Sequence, residues 1–315
     1  MSDLAISVEG LRKRYGSVVA ADGVTFDVQR GEIFGLLGRN GCGKTTTVEC
    51  LQGLRRADSG ELNVLGLDPG RHGPELRRRI GAQLQESALP DRIKVWEALA
   101  FFASLVPGGP PWQEVMADWD LADKRDASFA DLSGGQRQRL FVALAVVNQP
   151  ELVFFDEMTT GLDPVSRHVA WQLVDRLRQR GTTVVLVTHF MDEAEALCDR
   201  VAVFADHRVA AVDPPARLAD RFGPIEVLFT AEGPIDFLLR APGVDAVRTL
   251  GRQVTVTGSG AVLAHVAAAL VANGQAPVDL RARRPTLEDV FVRLTGGPGD
   301  DQAVEAARPS PEAVT

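Results

Sequence analysis

The stretch IFGLLGRNGCGKT, residues 33–45, carries the strongest structural signal in this chain of 315 residues. Residues 33–37 are apolar throughout, which is typical of a strand buried on both faces of a sheet. Residues 38–45 match the pattern G-x-x-x-x-G-K-[ST] in full, and a helix-permissive stretch continues to residue 54. This order of strand, glycine-rich loop and helix predicts a loop that binds phosphate groups.

Each residue type in the loop has a chemical reason to be there. Glycines let the backbone curl so that N–H groups point at phosphate oxygens, and the positive end of the following helix favours the same anion. Lys44 supplies a positive charge to the β- and γ-phosphates, and the Thr45 hydroxyl can ligate Mg²⁺. The glycine spacing does not match the dinucleotide-binding pattern, so a nicotinamide or flavin site is disfavoured. The predicted triphosphate site comprises Gly38, Arg39, Asn40, Gly41, Cys42, Gly43, Lys44, Thr45 and Thr46.

A second buried-strand pattern, residues 152–155, ends in a pair of carboxylates, Asp156 and Glu157. Beside a phosphate loop, Asp156 would hold Mg²⁺ through water, and Glu157 would polarise the water that attacks the terminal phosphate. The alternative is an exposed acidic turn that merely ends a strand. The phosphate loop in the same chain makes that alternative the weaker one.

Between these two motifs lies LSGGQRQR, residues 132–139. A helix that begins with a capping serine and two small residues lets an anion approach its N-terminus closely, although a plain capped helix has the same pattern. The phosphate loop, this signature element, the strand ending in Asp156 and Glu157, and the later pair Thr188 and His189 together resemble the ATPase cassette of ABC transporters. The resemblance covers about residues 4–222.

The resemblance implies roles for individual residues around ATP, and it implies Mg²⁺ as the accompanying metal. Tyr15 would stack on adenine, and His189 would hold the γ-phosphate. Gln85 would sense the γ-phosphate and Mg²⁺ and contact a membrane partner, with Gln83 as the competing assignment. The implied catalytic residues are Glu157, His189 and Gln85, and the implied metal residues are Thr45, Gln85 and Asp156.

Two further elements would act between two copies of the chain. In this family two ATP molecules lie between two cassettes, so the phosphate loop of one copy would face the signature of the other. The loop around Asp163 would couple the two sites across this homodimer. The implied signature residues are Ser133, Gly134, Gly135 and Gln136.

Three positions depart from the commonest family pattern. Arg39 and Met158 stand where proline is frequent, and Cys42 stands where a small residue is frequent. None of the three removes a reacting group, so ATP hydrolysis is expected to survive. A thiol among N–H groups at a helix N-terminus should have a lowered pKa, so Cys42 is expected to be a reactive nucleophile. The alternative is an inert side chain that fills the loop.

Strand and helix patterns alternate along the first two-thirds of the chain, which predicts an α/β fold with a mostly parallel sheet. The resemblance implies a P-loop NTPase cassette with a RecA-like core, an antiparallel β subdomain and a helical subdomain. We predict a nucleotide-binding domain over residues 1–222, a small α+β accessory domain over 223–296 and a disordered tail over 297–315. Helical patterns cover residues 74–80, 95–105, 135–148, 166–179, 192–198 and 262–272, and strand patterns cover residues 4–8, 24–28, 33–37, 152–155, 183–187, 201–204, 225–229 and 253–256.

Composition limits the partners and the compartment. The chain carries 42 acidic residues against 34 lysines and arginines, and this net charge of −8 argues against a nucleic-acid partner. Three cysteines without a paired C-x-x-C exclude a disulfide framework. No apolar run reaches the ~18 residues that cross a bilayer, so the chain would reach a membrane only through a partner.

The segments 188–195 and 284–296 are similar to ATPases of ABC-2-type exporters, especially the daunorubicin-resistance group. This similarity implies an ATPase at the cytoplasmic face of the cell membrane that powers efflux of a drug, antibiotic or lipid-like molecule through a separate permease. The ATPase subunit of an importer and a soluble, non-transport ABC ATPase are the alternatives. Segment 284–296 also fits a capped amphipathic helix that docks on the cassette or on a second copy.

Overall fold

The computed structural model describes residues 4–83, 88–105, 109–222, 225–231, 233–283 and 285–295. The chain forms two compact units that divide between Pro214 and Pro215. Strands of the first unit are β1 (Leu4–Tyr15), β2 (Val18–Gln29), β3 (Ile33–Gly38), β4 (Ser59–Val64), β5 (Ile80–Gln83), β6 (Leu152–Asp156), β7 (Thr183–Thr188), β8 (Arg200–Ala205) and β9 (Arg208–Asp213). Its helices are α1 (Lys44–Leu51), α2 (Pro69–Leu76), α3 (Val95–Leu105), α4 (Trp112–Asp118), α5 (Gly134–Ala145), α6 (Pro164–Gln179) and α7 (Met191–Leu197).

A six-stranded sheet forms the centre of the first unit, in the order β5-β6-β7-β3-β8-β9. All pairs are parallel except β8 with β9. The side chains of β3, β6 and β7 are buried throughout, as continuous apolar strands covered on both faces require. The register pairs Leu37 with Thr188 and Asp156 with Val187, so the carboxyl ends of these three strands meet at one edge. Ligand sites of open parallel sheets lie at such an edge.

A second, antiparallel sheet has the order β2-β1-β4 and shares its core with the central sheet. Ile6 and Phe26 belong to the same apolar cluster as Phe34, Phe154 and Phe204 of the central strands. The rings of Phe26 and Phe34 are stacked with centroids 5.4 Å apart. Burying such a side chain stabilises the folded state by roughly 1.5–3 kcal/mol relative to leaving it exposed. The antiparallel subdomain that the family resemblance implied is therefore confirmed.

Helices α3, α4 and α5 lie between β5 and β6 in the chain and form the helical part of the first unit. Their apolar faces bury Leu99, Val115, Met116 and Leu140. The structure confirms the α/β cassette with a mostly parallel sheet and a helical subdomain.

The second unit has its own core. Its strands are β10 (Ile225–Thr230), β11 (Val244–Leu250), β12 (Gln253–Gly258) and β13 (Arg281–Arg283), and its helices are α8 (Pro215–Phe222), α9 (Val262–Ala272) and α10 (Leu287–Thr295). The antiparallel sheet β11-β12-β10-β13 packs Val227, Phe229, Val254 and Val256 against α9. Helices α8 and α10 pack together. The three predicted regions, 1–222, 223–296 and 297–315, stay predictions, and residues 297–315 lie outside the described residues.

One predicted helix is wrong over most of its length. The pattern at residues 74–80 predicted a helix that reaches Ile80, but α2 begins at Pro69, capped by Asp68, and ends at Leu76. Ile80 instead starts β5, where it pairs with Leu152 of β6. Ile80 is in a strand because it pairs with a residue that is distant in the sequence. The local sequence pattern therefore cannot predict this strand.

Candidate nucleotide-binding site

The phosphate loop connects β3 to α1, and two of its glycines adopt positive φ angles. Gly41 has φ +84° and Gly43 has φ +100°. A Cβ on Gly43 would lie 2.0 Å from the carbonyl oxygen of Ala20 in β2, so this position accepts glycine alone. The first turn of α1 is fixed by Thr47, whose N–H and hydroxyl both donate to the Gly43 carbonyl at 2.9 Å.

Lys44 is buried in this loop with 5% of its surface exposed. Its ammonium Nζ donates to the carbonyl oxygens of Gly38 at 2.7 Å and Arg39 at 3.0 Å. These bonds hold a positive charge inside the curl of the loop, where a phosphate oxygen can replace the carbonyls as its partner. A cavity of about 290 Å³ opens at the loop and is lined by Val18, Val19, Ala20, Asn40, Gly41, Gly43, Lys44, Thr45, Thr46, Glu157 and His207.

Thr45 and Asp156 form the part of the site that suits a magnesium ion. The Thr45 hydroxyl donates to Asp156 Oδ2 at 3.3 Å. Asp156 is 4% exposed, and its Oδ1 has no hydrogen-bond partner among the described residues. Burial raises the pKa of this carboxyl, and the Thr45 hydroxyl opposes the rise. A buried, unsatisfied carboxylate oxygen beside a hydroxyl fits Mg²⁺, which takes one or two protein oxygens and completes its shell with water and phosphate. Gln85, the third predicted metal residue, lies outside the described residues.

Glu157 and His189 meet at the same edge of the sheet. Glu157 has φ +50°, an uncommon backbone conformation for a residue with a side chain, and its N–H donates to the Val187 carbonyl at 2.9 Å. Its Oε1 lies 3.2 Å from Nδ1 of His189, and its side chain is only 7% exposed. The His189 ring packs on Phe190, with centroids 4.1 Å apart. Two of the three predicted catalytic side chains are therefore in contact, and Glu157 lines the cavity at the phosphate loop.

Tyr15 lies at the end of the hairpin that borders this cavity. It pairs with Val18, which lines the cavity, and its ring is partly exposed. Two cations flank the ring: Lys13 Nζ is 5.6 Å and Arg55 Cζ is 5.4 Å from its centroid. Tyr15 thus lies next to the cavity with an exposed side chain, and its contact with adenine stays a prediction.

The signature residues start α5. Ser133 accepts a hydrogen bond from the Gln136 N–H at 3.4 Å, and the Gln136 side chain accepts one from the Ser133 N–H at 3.0 Å, which completes a capping box. A Cβ on Gly134 would lie 3.9 Å from Leu162, and one on Gly135 would lie 3.5 Å from the Ser166 hydroxyl. The signature helix therefore adjoins the loop that contains Asp163. None of the signature residues lines the cavity at the phosphate loop.

Asp163 has a structural task in the single chain. It caps α6 by accepting hydrogen bonds from the N–H groups of Val165 at 2.9 Å and Ser166 at 3.0 Å. The Ser166 hydroxyl donates to it at 2.7 Å and is the main reason that its pKa is lowered.

Gln83, the competing candidate for the role predicted for Gln85, already has a hydrogen-bond partner in the chain. Its side-chain oxygen accepts a hydrogen bond of 3.2 Å from Gln138 of α5, and both amides are buried. This bond joins the end of β5 to the signature helix.

The lowered pKa expected for Cys42 is contradicted. Cys42 is 9% exposed, and a Cβ on Gly38 would come within 2.5 Å of its sulfur, so the thiol points into the packed loop. Burial raises its pKa and outweighs the opposing effect of Lys44 and of the backbone N–H groups. These observations favour the alternative, an inert side chain that fills the loop.

His207 is a cavity residue that the sequence did not suggest. It lies between β8 and β9 with φ +65°, and its carbonyl accepts the Asp22 N–H at 2.9 Å. No motif surrounds it, and only the pairing of distant strands brings it to the site.

Taken together, these side chains define a nucleoside-triphosphate site of the P-loop ATPase class. A family model described as ABC transporter matches residues 21–160. The daunorubicin resistance ATP-binding protein DrrA3 of Streptomyces coeruleorubidus is 39% identical and aligns over 98% of this chain and all of its own length. The Nod factor export ATP-binding protein I of Rhizobium sp. (strain N33) is 36% identical over 94% of this chain and 98% of its own.

Solved structures agree with the sequence relatives. An ATP-binding subunit of an ABC transporter superposes with a TM-score of 0.62 at 25% identity, covering 69% of this chain and 93% of that one. The chain cbiO1 of Clostridium perfringens gives 0.62 at 27% identity, covering 69% and 91%. This protein belongs to the ABC transporter family as an ATP-hydrolysing, nucleotide-binding chain. Within the family, its resemblance to ABC-2-type exporter ATPases is confirmed. In the part of the chain that the structure describes, no helix is long and apolar enough to span a bilayer.

Proposed function

We propose that this chain is the ATP-driven subunit of an exporter that moves a drug, antibiotic or lipid-like molecule through separate permease chains at the cytoplasmic face of the membrane. Relatives that match nearly its whole length are named for daunorubicin resistance and for Nod factor export. The observation that carries the ATP-hydrolysing part of the proposal is the contact of Glu157 with His189 beside the phosphate loop and the Thr45–Asp156 pair.

The chemistry at this site follows from where the groups lie. Backbone N–H groups of the loop and the Lys44 ammonium bind the phosphates, and Tyr15 stacks on adenine. Glu157 polarises the attacking water. His189, which contacts Glu157, holds the γ-phosphate. Thr45, Asp156 and Gln85 would hold Mg²⁺, which supplies charge neutralisation between the β- and γ-phosphates.

A second copy of the chain completes the site. The first N–H groups of α5 have no partner within the helix, and Ser133 and Gly134 are exposed there, so this end of α5 suits an anion from outside the chain. The γ-phosphate of one copy would bind Ser133, Gly134, Gly135 and Gln136 of the other, with Asp163 between the two sites. ATP then favours the paired state because it gains contacts from both copies, and its hydrolysis removes that preference.

The permease would dock on an apolar groove at the helical subdomain. The groove has a volume of about 330 Å³ and includes Phe102, Leu105, Phe141 and Leu144. Leu105 is 59% exposed, and the neighbouring Phe101 is 56% exposed. Large exposed apolar side chains around a groove are typical of a protein interface. The groove also includes Gln83 and Ala88, which precede and follow in the sequence the segment that contains the predicted partner contact Gln85.

The substitution Glu157→Gln tests the proposed hydrolytic site. It keeps the shape of the side chain but removes its ability to take a proton, so turnover is expected to fall by at least about 100-fold. Affinity for ATP with Mg²⁺ should be kept, because the phosphate loop is unchanged. Steady-state hydrolysis and equilibrium binding measure the two quantities. Glu61→Gln, an exposed glutamate of β4, is the matched control and should behave like the unsubstituted protein. An unchanged rate in Glu157→Gln would remove Glu157 from its role.

A further inference from the structure

Glu193 of α7 is a fully buried carboxyl that the chemistry above does not use. It follows His189 by four positions and has 0% of its surface exposed. Acidic side chains are almost never fully buried unless they are paired, since removing the charged form from water is costly. The partners of this carboxyl therefore indicate why it is there.

The contacts of Glu193 come from three different segments. The Trp171 indole of α6 donates to its Oε1 at 3.1 Å. Burial raises the pKa of this carboxyl. The hydroxyls of Thr188 and Thr159 lower it, as the Trp171 indole does, and so offset part of that rise. The Thr188 hydroxyl accepts the Phe190 N–H at 3.0 Å, which fixes the turn that contains His189.

Two oxygens of this cluster lack a hydrogen-bond partner. Glu193 Oε2 and Thr159 Oγ1 are both buried, and neither has a hydrogen-bond partner among the described residues. Burial raises the pKa of Glu193, which favours the neutral acid. A neutral carboxyl can donate from Oε2 to Thr159 Oγ1, and that bond would satisfy both oxygens.

The position of these partners connects the cluster to hydrolysis. Thr159 follows Glu157 by two residues in the loop after β6, and Thr188 directly precedes His189 at the end of β7. One buried carboxyl thus reaches both segments that carry the proposed catalytic side chains. The Glu157–His189 distance of 3.2 Å depends on how these two segments are held relative to each other.

We propose that Glu193 is a positioning residue for ATP hydrolysis: its buried carboxyl joins the loop after β6 to the end of β7 and so fixes Glu157 against His189. The proposal rests on the function proposed above for those two residues. A small displacement of a catalytic group lowers the rate of hydrolysis. It leaves the affinity for the nucleotide largely unchanged, because that affinity comes from the phosphate loop.

Two substitutions at this position separate the proposal from a general loss of packing. In Glu193→Ala the link is lost, so kcat should fall by roughly 10- to 100-fold while the KM for ATP changes less than about threefold. In Glu193→Gln the amide oxygen still accepts from Trp171 and the amide nitrogen donates to Thr159, so kcat should be largely restored. Glu195→Ala, an exposed position of the same helix, is the control and should leave both constants unchanged.

A third variant keeps the test decisive if Glu193→Ala does not fold. Thr159→Val keeps the volume and removes the hydroxyl, so it should lower kcat in the same direction. Combined with Glu193→Gln it should add little further loss, because both changes act on one link. Wild-type kcat in Glu193→Ala, or in Thr159→Val where the alanine variant is unfolded, would overturn the proposal, as would a glutamine variant as slow as the alanine one. If Glu157→Gln keeps full turnover, the proposed function fails; if only the Glu193 and Thr159 variants keep it, this inference alone fails.

Discussion

Two opposing effects act on the pKa of the Cys42 thiol. Lys44 and the N–H groups of the loop favour the thiolate, whereas burial favours the neutral thiol and is the larger effect. The other two cysteines are buried as well: burial raises the pKa of Cys50 to about 11 and that of Cys198 well above its usual value. A sequence motif specifies the charges around a thiol but not how deeply the side chain is packed.

Cys42 should therefore react slowly with maleimide in the native protein. A raised pKa leaves less thiolate at neutral pH than a free cysteine has, and alkylation should accelerate as the pH rises. Mass spectrometry after timed labelling measures the rate, and denatured protein, which should label at all three cysteines, is the reference. Rapid labelling of Cys42 at neutral pH that ATP prevents would contradict this account.

The residues of the site could be named from the sequence, but their contacts could not. The motifs pointed to Thr45, Asp156 and Glu157, since each chemical role demands a particular residue type, and the family resemblance alone added His189. The 3.2 Å contact of Glu157 with His189 depends on the register of β6 against β7 and on the left-handed backbone at Glu157. His207 reaches the cavity only because β8 and β9 pair beside β3, which no local pattern encodes.

At the scale of single elements, long and strongly patterned segments were predictable. The helices at residues 95–105 and 262–272 coincide with α3 and α9, and the buried strands at 33–37 and 183–187 each extend by one residue. Strands β4, β9, β11 and β13 were missed. β4 reads SGELNV with mostly exposed side chains, so its conformation comes from pairing with β1 rather than from an apolar pattern. β1 continues through three charged residues to Tyr15 for the same reason, as the partner of β2.

One element contact joins the helical subdomain to α6. Trp119, just after α4, is 1% exposed, and Arg176 and Arg180 of α6 place their guanidinium carbons 5.7 Å and 5.5 Å from its ring centroid. Both arginines also bind Asp118, Arg176 through the carbonyl at 2.8 Å and Arg180 through the carboxylate at 2.9 Å. A buried indole and two charged hydrogen bonds thus connect these elements.

Trp119→Ala should lower the free energy of unfolding by about 3–5 kcal/mol, because it removes a large buried side chain and leaves a cavity. Urea denaturation followed by circular dichroism measures the change. Arg180→Ala, which removes a partly exposed cation over the same ring, should cost no more than about 1 kcal/mol. A loss in Trp119→Ala as small as that in Arg180→Ala would mean that the indole does not hold these elements together.

At the scale of the whole molecule, the phosphate loop and the signature, which we propose to be the two halves of an ATP site, lie in separate places of one chain. The phosphate loop, Asp156 and Glu157 surround one cavity, and the signature at the start of α5 is not part of it. A protein built in this way is expected to hydrolyse ATP only where two copies meet. The second unit has a hydrophobic core of its own.

Mixing two inactive variants tests directly whether two copies of the chain share one ATP site. Lys44→Ala removes the phosphate-loop charge, and Gly134→Glu sets a negative charge at an exposed signature position, where it suits the helix terminus but repels the partner's γ-phosphate. Each variant alone should be unable to hydrolyse ATP. When the two are mixed, hydrolysis should return, because each mixed pair contains one intact phosphate loop facing one intact signature. A mixture as inactive as its components, although Gly134→Glu still binds ATP, would contradict the shared site, and so would full turnover by Gly134→Glu alone.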